Sequence, residues 1–371
     1  MRIAITGARG FIGCNLQIRL RERGHTAHEL IPHDIQPDEL IVLLKGVDFV
    51  FHLAGVNRPK EPSEFEQGNH SFTRMLCDTM AGLTHKPRVV YASSIQAAHD
   101  NPYGQSKRRA EEALLAYGHD NGVKVHVFRL TNVFGKWSRP NYNSAVATFC
   151  HNIARDLPIT VNDPTTRLRL IYIDDVLTHF CALLEDASAP SGLCVAGPEY
   201  EATVGEVASQ IQAFRDSRNS LVSERVGVGL VRALYSTYVS FLPTDAFDYP
   251  VARHEDPRGV FVEMLKTPDC GQFSYFTAHP GITRGEHYHH TKTEKFLVIK
   301  GTAHFGFRHM ISNETYEIVT RGGEARIVET IPGWTHNITN IGDDELIVML
   351  WANEIFDRQK PDTIAQKVMP V

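Results

Sequence analysis

Three groups of residues in this 371-residue chain combine types and spacings that can do chemistry. The first is Thr6-Gly7-Ala8-Arg9-Gly10-Phe11-Ile12-Gly13, which follows a short apolar run and opens a helical pattern. Glycines at these positions permit a tight turn and a close backbone approach to a pyrophosphate. The first turn of the following helix offers unpaired N–H groups and the positive end of its dipole. The strand–turn–helix setting separates a dinucleotide loop from a glycine-rich turn without a ligand. Gly7, Arg9, Gly10, Phe11, Ile12 and Gly13 are the candidate cofactor contacts.

The second group is Tyr103-x-x-x-Lys107. Residues four apart share one helix face. An ammonium beside a phenol stabilises the phenolate and brings the tyrosine toward the working pH. Such a tyrosine can pass a proton to a carbonyl oxygen as hydride reaches the carbon. Ser94 ends the preceding strand-like run and can hydrogen-bond the same oxygen, with Ser93 as the alternative.

The third group is His287, His289, Glu294 and His336. His287 and His289 alternate along a strand-like run, so both should face one side. Glu294 opens the next run and His336 comes from a distant one. Three imidazoles and a carboxylate on an inward face suit a divalent ion such as zinc, manganese, iron or nickel. A metal-free set of polar histidines is the competing reading. Glu286 and His290 flank the group and are expected outward or behind the ligands.

The elements that must position these residues change character along the chain. Up to about residue 240, the runs Arg2–Thr6, Asp48–Ala54, Arg88–Ser93 and Val123–Leu130 alternate with helical patterns at Phe11–Glu22, Tyr103–Tyr117 and Asp174–Leu184. Alternation of this kind predicts a parallel sheet with crossover helices. After about residue 250 strand-like runs follow one another: Phe273–Thr277, Lys295–Ile299, Ala303–Phe307, Thr315–Val319, Ala325–Glu329 and Leu346–Trp351. That predicts an antiparallel barrel or sandwich. Pro243 and Pro250 break the pattern between the two parts. The expected domains are 1–243 and 244–371.

Composition narrows the function classes. The chain is 42% hydrophobic and 22% charged, ordinary for a globular protein. A net charge of −5 gives no basic footprint, so no nucleic-acid partner is expected. No apolar run reaches 18 residues, and the N-terminus lacks the layout of a signal peptide, so neither a membrane partner nor export is expected. The six cysteines form no C-x-x-C pair and read as reduced residues of a cytoplasmic protein.

The first 240 or so residues resemble an extended short-chain dehydrogenase/reductase acting on nucleotide sugars. The resemblance rests on the glycine motif, His52-Leu-Ala-Gly55, Ser93-Ser94, Tyr103-x-x-x-Lys107, Arg129-Leu-Thr-Asn132-Val-Phe-Gly135 and Tyr172-Ile-Asp174-Asp175-Val176. It implies an α/β Rossmann-type fold with Ser94, Tyr103 and Lys107 as the catalytic triad. It also implies that Ala54 and Gly55 line the cofactor channel and that Asn132 lies near the nicotinamide or the sugar. Only eight residues separate Ser94 from Tyr103, fewer than that family usually places there. An acidic residue at the tip of the second strand would bind the ribose of NAD. Glu29 and Asp34 bracket that tip, and Arg9 could meet a 2′-phosphate, so the expected cofactor is NADPH.

Gly281-x5-His287-x-His289-x4-Glu294-x6-Gly301 and Pro332-Gly333-x2-His336-x3-Asn340 resemble the two signatures of the cupin, a jelly-roll barrel. Asp256-x-Arg258-Gly259 and Thr283-Arg284-Gly285-x-His287 resemble dTDP-4-dehydrorhamnose 3,5-epimerase-type cupins. In that group the arginine grips the nucleotide diphosphate and the histidine removes a proton. His287 is thus a candidate for two roles, metal ligand and base.

In this domain order the whole chain is similar to the CapF family of bifunctional capsular-polysaccharide enzymes and their O-antigen counterparts. Further shared segments are Asp100-Asn-Pro-Tyr-Gly104, Phe134-Gly-Lys-Trp137, Pro140-Asn-Tyr-Asn-Ser144 and His289-His-Thr-Lys292. The resemblance implies 3-epimerisation of a UDP-linked 4-keto sugar by the cupin and NADPH-dependent 4-reduction by the first domain. It also implies zinc in the cupin and a homodimer. The rival readings are a plain reductase with a dimerising cupin, and a sugar-binding protein with an inactive reductase.

Overall fold

The computed structural model describes residues 1–371 except 26, 27, 33, 257, 258, 263, 266–270, 355–358, 370 and 371. Arg258, and with it the centre of the Asp256-x-Arg258-Gly259 segment, lies outside the described residues. The chain divides into two compact units, 1–139 with 168–201 and 140–167 with 202–371.

The first unit is built on β1 (Ile3–Thr6), β2 (His28–Ile31), β3 (Phe49–His52), β4 (Arg88–Ser94), β5 (Val125–Leu130) and β8 (Gly192–Cys194). They form one parallel sheet in the order β2-β1-β3-β4-β5-β8. β1 and β3 are buried at every position, as strands of a parallel sheet covered on both faces must be. The crossovers are α1 (Phe11–Glu22), α2 (Pro37–Leu44), a helical stretch of α3 (Ser63–Phe65), a π-turn Glu66–Ser71 and α4 (Phe72–Gly82), then α5 (Pro102–Asn121) and, later in the chain, α7 (Ile173–Glu185). α5 begins where the Asn101 side chain accepts from the Gly104 N–H at 2.8 Å and Pro102 occupies the first turn. It ends on Gly122 at φ +66°. Ala110, Leu114 and Tyr117 of α5 pack into the core formed with Val89, Tyr91, Val125 and Val127.

The strand order reverses between β1 and β3. In a doubly wound sheet that reversal opens a crevice beyond the carboxyl ends of the strands, where ligands bind. The glycine loop leaves β1 there, and Leu53-Ala54-Gly55 leaves β3. Short strands β6 (Asn132–Phe134) and β7 (Arg167–Tyr172) pair in parallel, and β9 (Glu199–Thr203) joins them.

The second unit carries α6 (Ala145–Ile153), α8 (Val204–Ser220) and α9 (Gly229–Ser240) together with a cupin jelly roll. One antiparallel sheet has the order β10 (Asp248–Pro250), β18 (Arg326–Glu329), β15 (Glu294–Lys300), β20 (Leu346–Ala352), β13 (Gln272–Ala278). The other runs β17 (Thr315–Arg321), β16 (Thr302–His309), β19 (Trp334–Asn340), β14 (Thr283–Tyr288), β21 (Ile364–Ala365). β11 (Arg253–Asp256) and β12 (Gly259–Val262) pair as a separate two-stranded ribbon. Phe276, Phe296 and Phe305 meet between the two main sheets.

α8 and α9 pack on this barrel through buried charge. Glu329 of β18 pairs with Arg218 of α8 and Lys295 of β15, and Lys295 Nζ also donates to the Tyr249 hydroxyl at 3.0 Å. Arg232 of α9 pairs with Glu354 at 2.7 Å.

Candidate active sites

The crevice of the first unit is organised by a chain of hydrogen bonds whose directions are determined. Thr73 Oγ1 donates to the Asn69 carbonyl at 2.6 Å, so it accepts from His52 Nε2 at 2.8 Å. Nδ1 of His52 is then bare and accepts from Thr6 Oγ1 at 2.7 Å. The same Thr6 oxygen accepts from the N–H groups of Leu53 and Ala54, each at 3.1 Å. The first residue of the glycine motif thus fastens the end of β3 to the end of β1. Complete burial, followed by the charge of Lys107, lowers His52 to about 3, so it is neutral.

Gly7 has φ +66°, and a Cβ there would lie 2.7 Å from the Ala54 nitrogen. Only glycine tolerates both conditions. Gly10 precedes α1 without a side-chain cap, and the first turn of α1 holds no acidic residue. Its N–H groups remain suited to an anion. Arg9 is exposed beside them. Gly55 lies over Asn69, whose amide brackets Val56 N and O at 2.9 and 3.0 Å and donates to Ser106 Oγ at 3.0 Å. The π-turn Glu66–Ser71 delivers this buried asparagine, the kind of local helix irregularity that recurs at functional sites.

Lys107 is buried on α5. Its Nζ donates to the Ala92 carbonyl at 2.9 Å and lies 4.4 Å from the centre of the Tyr91 ring. It also stands 3.5 Å from where a Cβ on Gly55 would be, which brings it to the crevice. Burial pulls its ammonium down to about 7, against the opposing pull of Glu111. Tyr103, one turn earlier, is half-buried against Phe65 at 5.4 Å. Gly104 lets this end of α5 sit on the segment that follows Ser94, since a Cβ there would be 2.2 Å from the Gln96 carbonyl oxygen.

The two serines differ. Ser93 is buried and donates to Glu111 Oε1 at 2.5 Å, and Glu111 is held by Arg129 Nε and Nη2 at 3.0 and 2.7 Å. Ser94 is half-buried, and its oxygen accepts from Gln96 N at 3.2 Å. Asn132 is exposed and donates to the Arg169 carbonyl at 2.9 Å. Lys136 is buried on Asp174, at 3.0 and 2.9 Å, which explains structurally why Phe134-Gly-Lys-Trp137 and Tyr172-Ile-Asp174 occur together. Glu29 lies inside β2 and pairs with Arg2 at 3.2 Å. β2 ends at Ile31, and His33 lies outside the described residues.

In the barrel, one ligand atom from each of His287, His289, Glu294 and His336 falls within 4.8 Å of the others. The ring centres of His287 lie 4.9 and 4.7 Å from those of His289 and His336. One detail differs from the alternating-strand reading. β14 ends at Tyr288, so His289 lies beyond it, and a bulge interrupts the pairing between Gly285 and His287. The bulged residue, Glu286, has φ +60° and accepts from Asn337 Nδ2 and Val368 N. Bulges of this kind re-aim the side chains that follow. His290 is buried rather than outward.

The donor set fits a divalent cation. His289 Nδ1 donates to the Asp362 carbonyl at 2.5 Å, so its bare Nε2 faces Glu294 Oε2 at 3.2 Å. Two lone-pair atoms at that distance repel unless a cation or a proton lies with them. Both ring nitrogens of His336 are buried without a hydrogen-bond partner among the described residues, with Nε2 3.5 Å from Glu294 Oε2. Lys292 holds the other oxygen of Glu294 at 2.8 Å. Burial, then the neighbouring His336 and His289, lowers His287 to about 3, the neutral form that metals bind. Burial alone would raise Glu294, yet the imidazoles and Lys292 hold it well below the usual carboxylate range.

Glu111 and Asp362 escaped the sequence reading. Glu111 carried a signal, standing one turn beyond Lys107 on the same helix face. Asp362 carried none, because it lies 73 residues from His289.

Residues 3–195 match the NAD dependent epimerase/dehydratase family, and 254–364 match the polysaccharide biosynthesis C-terminal domain. The chain is 56% identical over 370 residues, 99% of each sequence, to a Pseudomonas aeruginosa protein named UDP-2-acetamido-2,6-beta-L-arabino-hexul-4-ose reductase. Capsular polysaccharide assembling protein CapF from Staphylococcus aureus is similar in structure, with TM-score 0.67 and 40% identity over 99% of this chain and 100% of that one. UDP-N-acetylglucosamine 4-epimerase from Bacillus cereus, 24% identical with TM-score 0.52 over 58% of this chain and 82% of that one, shares the fold of part of the chain. Among the described residues no helix is long and apolar enough to cross a membrane.

Proposed function

The chain belongs to the CapF family, and we propose that it is a bifunctional nucleotide-sugar enzyme that carries out both reactions its two sites allow. Its substrate is UDP-2-acetamido-2,6-dideoxy-β-L-arabino-hexos-4-ulose. The cupin, 244–371, epimerises C3, and the reductase, 1–243, then reduces C4 to give UDP-2-acetamido-2,6-dideoxy-β-L-talose. The observation that carries this reading is the convergence of His287, His289, Glu294 and His336 in the barrel of a chain whose buried Lys107, one turn after Tyr103, stands by Gly55 in the crevice. The pathway role is UDP-N-acetyl-L-fucosamine synthesis for capsule or O-antigen. The enzyme works as a cytoplasmic homodimer without nucleic-acid or membrane partners.

The chemistry is coherent. A ketone at C4 acidifies the hydrogen on C3, so a base can remove it and the enolate can be reprotonated from the opposite face. Reduction of the ketone then removes that acidity and fixes the new configuration. In the first unit Gly7, Arg9, Gly10, Phe11, Ile12, Gly13, Ala54 and Gly55 would hold NADPH, which would supply the hydride. The Tyr103 hydroxyl gives its proton to the C4 oxygen, Ser94 donates to the same oxygen, and the Lys107 ammonium stabilises the resulting phenolate. The engagement of Ser93 by Glu111 supports Ser94 in that role. In the barrel, His287, His289, Glu294 and His336 would hold a divalent ion, zinc by family, whose Lewis acidity suits a developing enolate oxygen. His287 is partly exposed, so it is the ligand nearest to a substrate entering from solvent.

The test uses the purified chain and the 4-keto sugar in deuterated water without NADPH. Deuterium at C3 is expected. Reduction on later addition of NADPH, with no prior exchange, would identify a reductase with a structural cupin. Neither reaction would identify a binding protein. Elemental analysis of protein purified without added metal should find close to one transition-metal ion per chain.

A further inference from the structure

We propose that Asp362, near the C-terminus, is a positioning residue that preorganises the barrel cluster for its cation. The proposal rests on the metal reading of His287, His289, Glu294 and His336.

Asp362 grips the turn between two of those ligands. Its Oδ1 accepts from His290 N at 2.9 Å. Its Oδ2 accepts from Thr291 N at 2.6 Å, Lys292 N at 2.8 Å and Thr291 Oγ1 at 2.8 Å. A carboxylate that receives three consecutive backbone N–H groups fixes the path of the chain through 290–292. That path sets His289 on one side and Lys292, the partner of Glu294, on the other. The carbonyl of the same residue accepts from His289 Nδ1, which holds the ring in the tautomer whose Nε2 is bare. Partners that orient a ligating imidazole through its other nitrogen contribute strongly to metal affinity. One residue thus sets both the tautomer of His289 and the anchoring of Glu294.

The strap carrying Asp362 has anchors that do not involve its carboxylate. Ile364 and Ala365 pair with Tyr288 and His287. Gln366 N donates to the Glu286 carbonyl at 2.7 Å, and Arg308 Nε donates to the Val368 carbonyl at 2.6 Å. Loss of the carboxylate should therefore loosen the turn while the strap stays in register.

The test compares full-length wild type, Asp362→Ala and Asp362→Asn for zinc affinity, by competition with a chromophoric chelator, and for the visible d–d spectrum of the cobalt(II)-loaded protein. Asp362→Ala should bind zinc roughly 10–100-fold more weakly and change the cobalt spectrum. Asp362→Asn, which keeps an acceptor oxygen in place, should fall between. A lower melting temperature with zinc affinity within twofold of wild type and an unchanged cobalt spectrum would show a merely structural residue and overturn the proposal. If Asp362→Ala does not fold, wild-type affinity and spectrum in Asp362→Asn overturn it equally. A wild-type protein that takes up neither metal removes the metal reading itself, an outcome distinct from intact binding in the variants.

Discussion

Thr6 Oγ1 donates to His52 Nδ1 at 2.7 Å, joining the first residue of the glycine motif to the last residue of β3. The two residues are register partners across the sheet, and Tyr91 is the next in the same row. His52 stacks on Tyr91 at 5.0 Å, and Lys107 Nζ lies over the Tyr91 ring, 4.4 Å from its centre. The cofactor loop and the candidate catalytic lysine are therefore connected through one buried row of side chains.

Removing the hydroxyl from that row should be costly. Thr6→Val conserves shape but leaves His52 Nδ1 and the Ala54 N–H without the hydroxyl, while Leu53 N keeps the residue-6 carbonyl at 3.3 Å. A loss of about 1–3 kcal/mol is expected from thermal or urea unfolding, with a raised KM for the cofactor because the Ala54 backbone is released. His52 also sets a pH limit. It is neutral in the fold down to about 3 and has an ordinary value of 6.5. Between those values the unfolded chain binds the extra proton, so this group's contribution to stability falls as pH is lowered. His52→Gln should flatten that part of the stability–pH curve.

Reduction should weaken as pH rises through about 7 in the free enzyme, because the Lys107 ammonium titrates there and the phenolate of Tyr103 loses its counter-charge. Glu111 pulls in the opposite direction, raising Lys107. Glu111→Gln should therefore move this limb of the kcat/KM profile to lower pH. A profile with the limb unmoved would show that Glu111 serves only to hold Ser93 and Arg129.

Tyr103→Phe should stop NADPH oxidation while leaving exchange at C3 intact. Loss of a positioned proton donor costs roughly 10²–10⁴-fold. A rate above a tenth of wild type would remove Tyr103 from that role.

Cofactor preference should favour NADPH. Glu29 is engaged by Arg2 inside β2, and Arg9 is exposed in the glycine loop. Arg9→Ala should reduce the ratio of specificity constants, NADPH over NADH, by roughly tenfold, the scale of one charge-assisted contact. Equal constants in wild type would overturn the preference.

The charge network between α8 and the barrel should carry much of the second unit's stability. Glu329→Gln leaves Arg218 and Lys295 buried without their carboxylate, a change expected to cost about 3–5 kcal/mol. Burial alone would raise Glu329, but Arg218 and Lys295 hold it below its usual 4.5. Its stabilisation is therefore complete above that value and lost as pH falls below it. The variant should unfold at lower temperature at pH 7 and show a weaker acid dependence than wild type.

Much of this protein is written in short-range pattern. Alternating apolar runs and helical periods marked β1, β3, β4, β5, α1 and α5, because burial on both sheet faces and on one helix stripe imposes those periods locally. The shared helix face of Tyr103 and Lys107, the glycine loop and the spacing of His287, His289, Glu294 and His336 are also local. Other features arise only when distant segments meet. The different engagement of Ser93 and Ser94 depends on Glu111 reaching β4 from α5. The bulge at Glu286 depends on Asn337 and Val368, and the tautomer of His289 depends on a carbonyl 73 residues away. The joining of α8 to the barrel depends on Glu329 meeting Arg218 across 111 residues. Hydrogen-bond direction and buried charge pairing are set by three-dimensional neighbours, so no local period of the sequence encodes them.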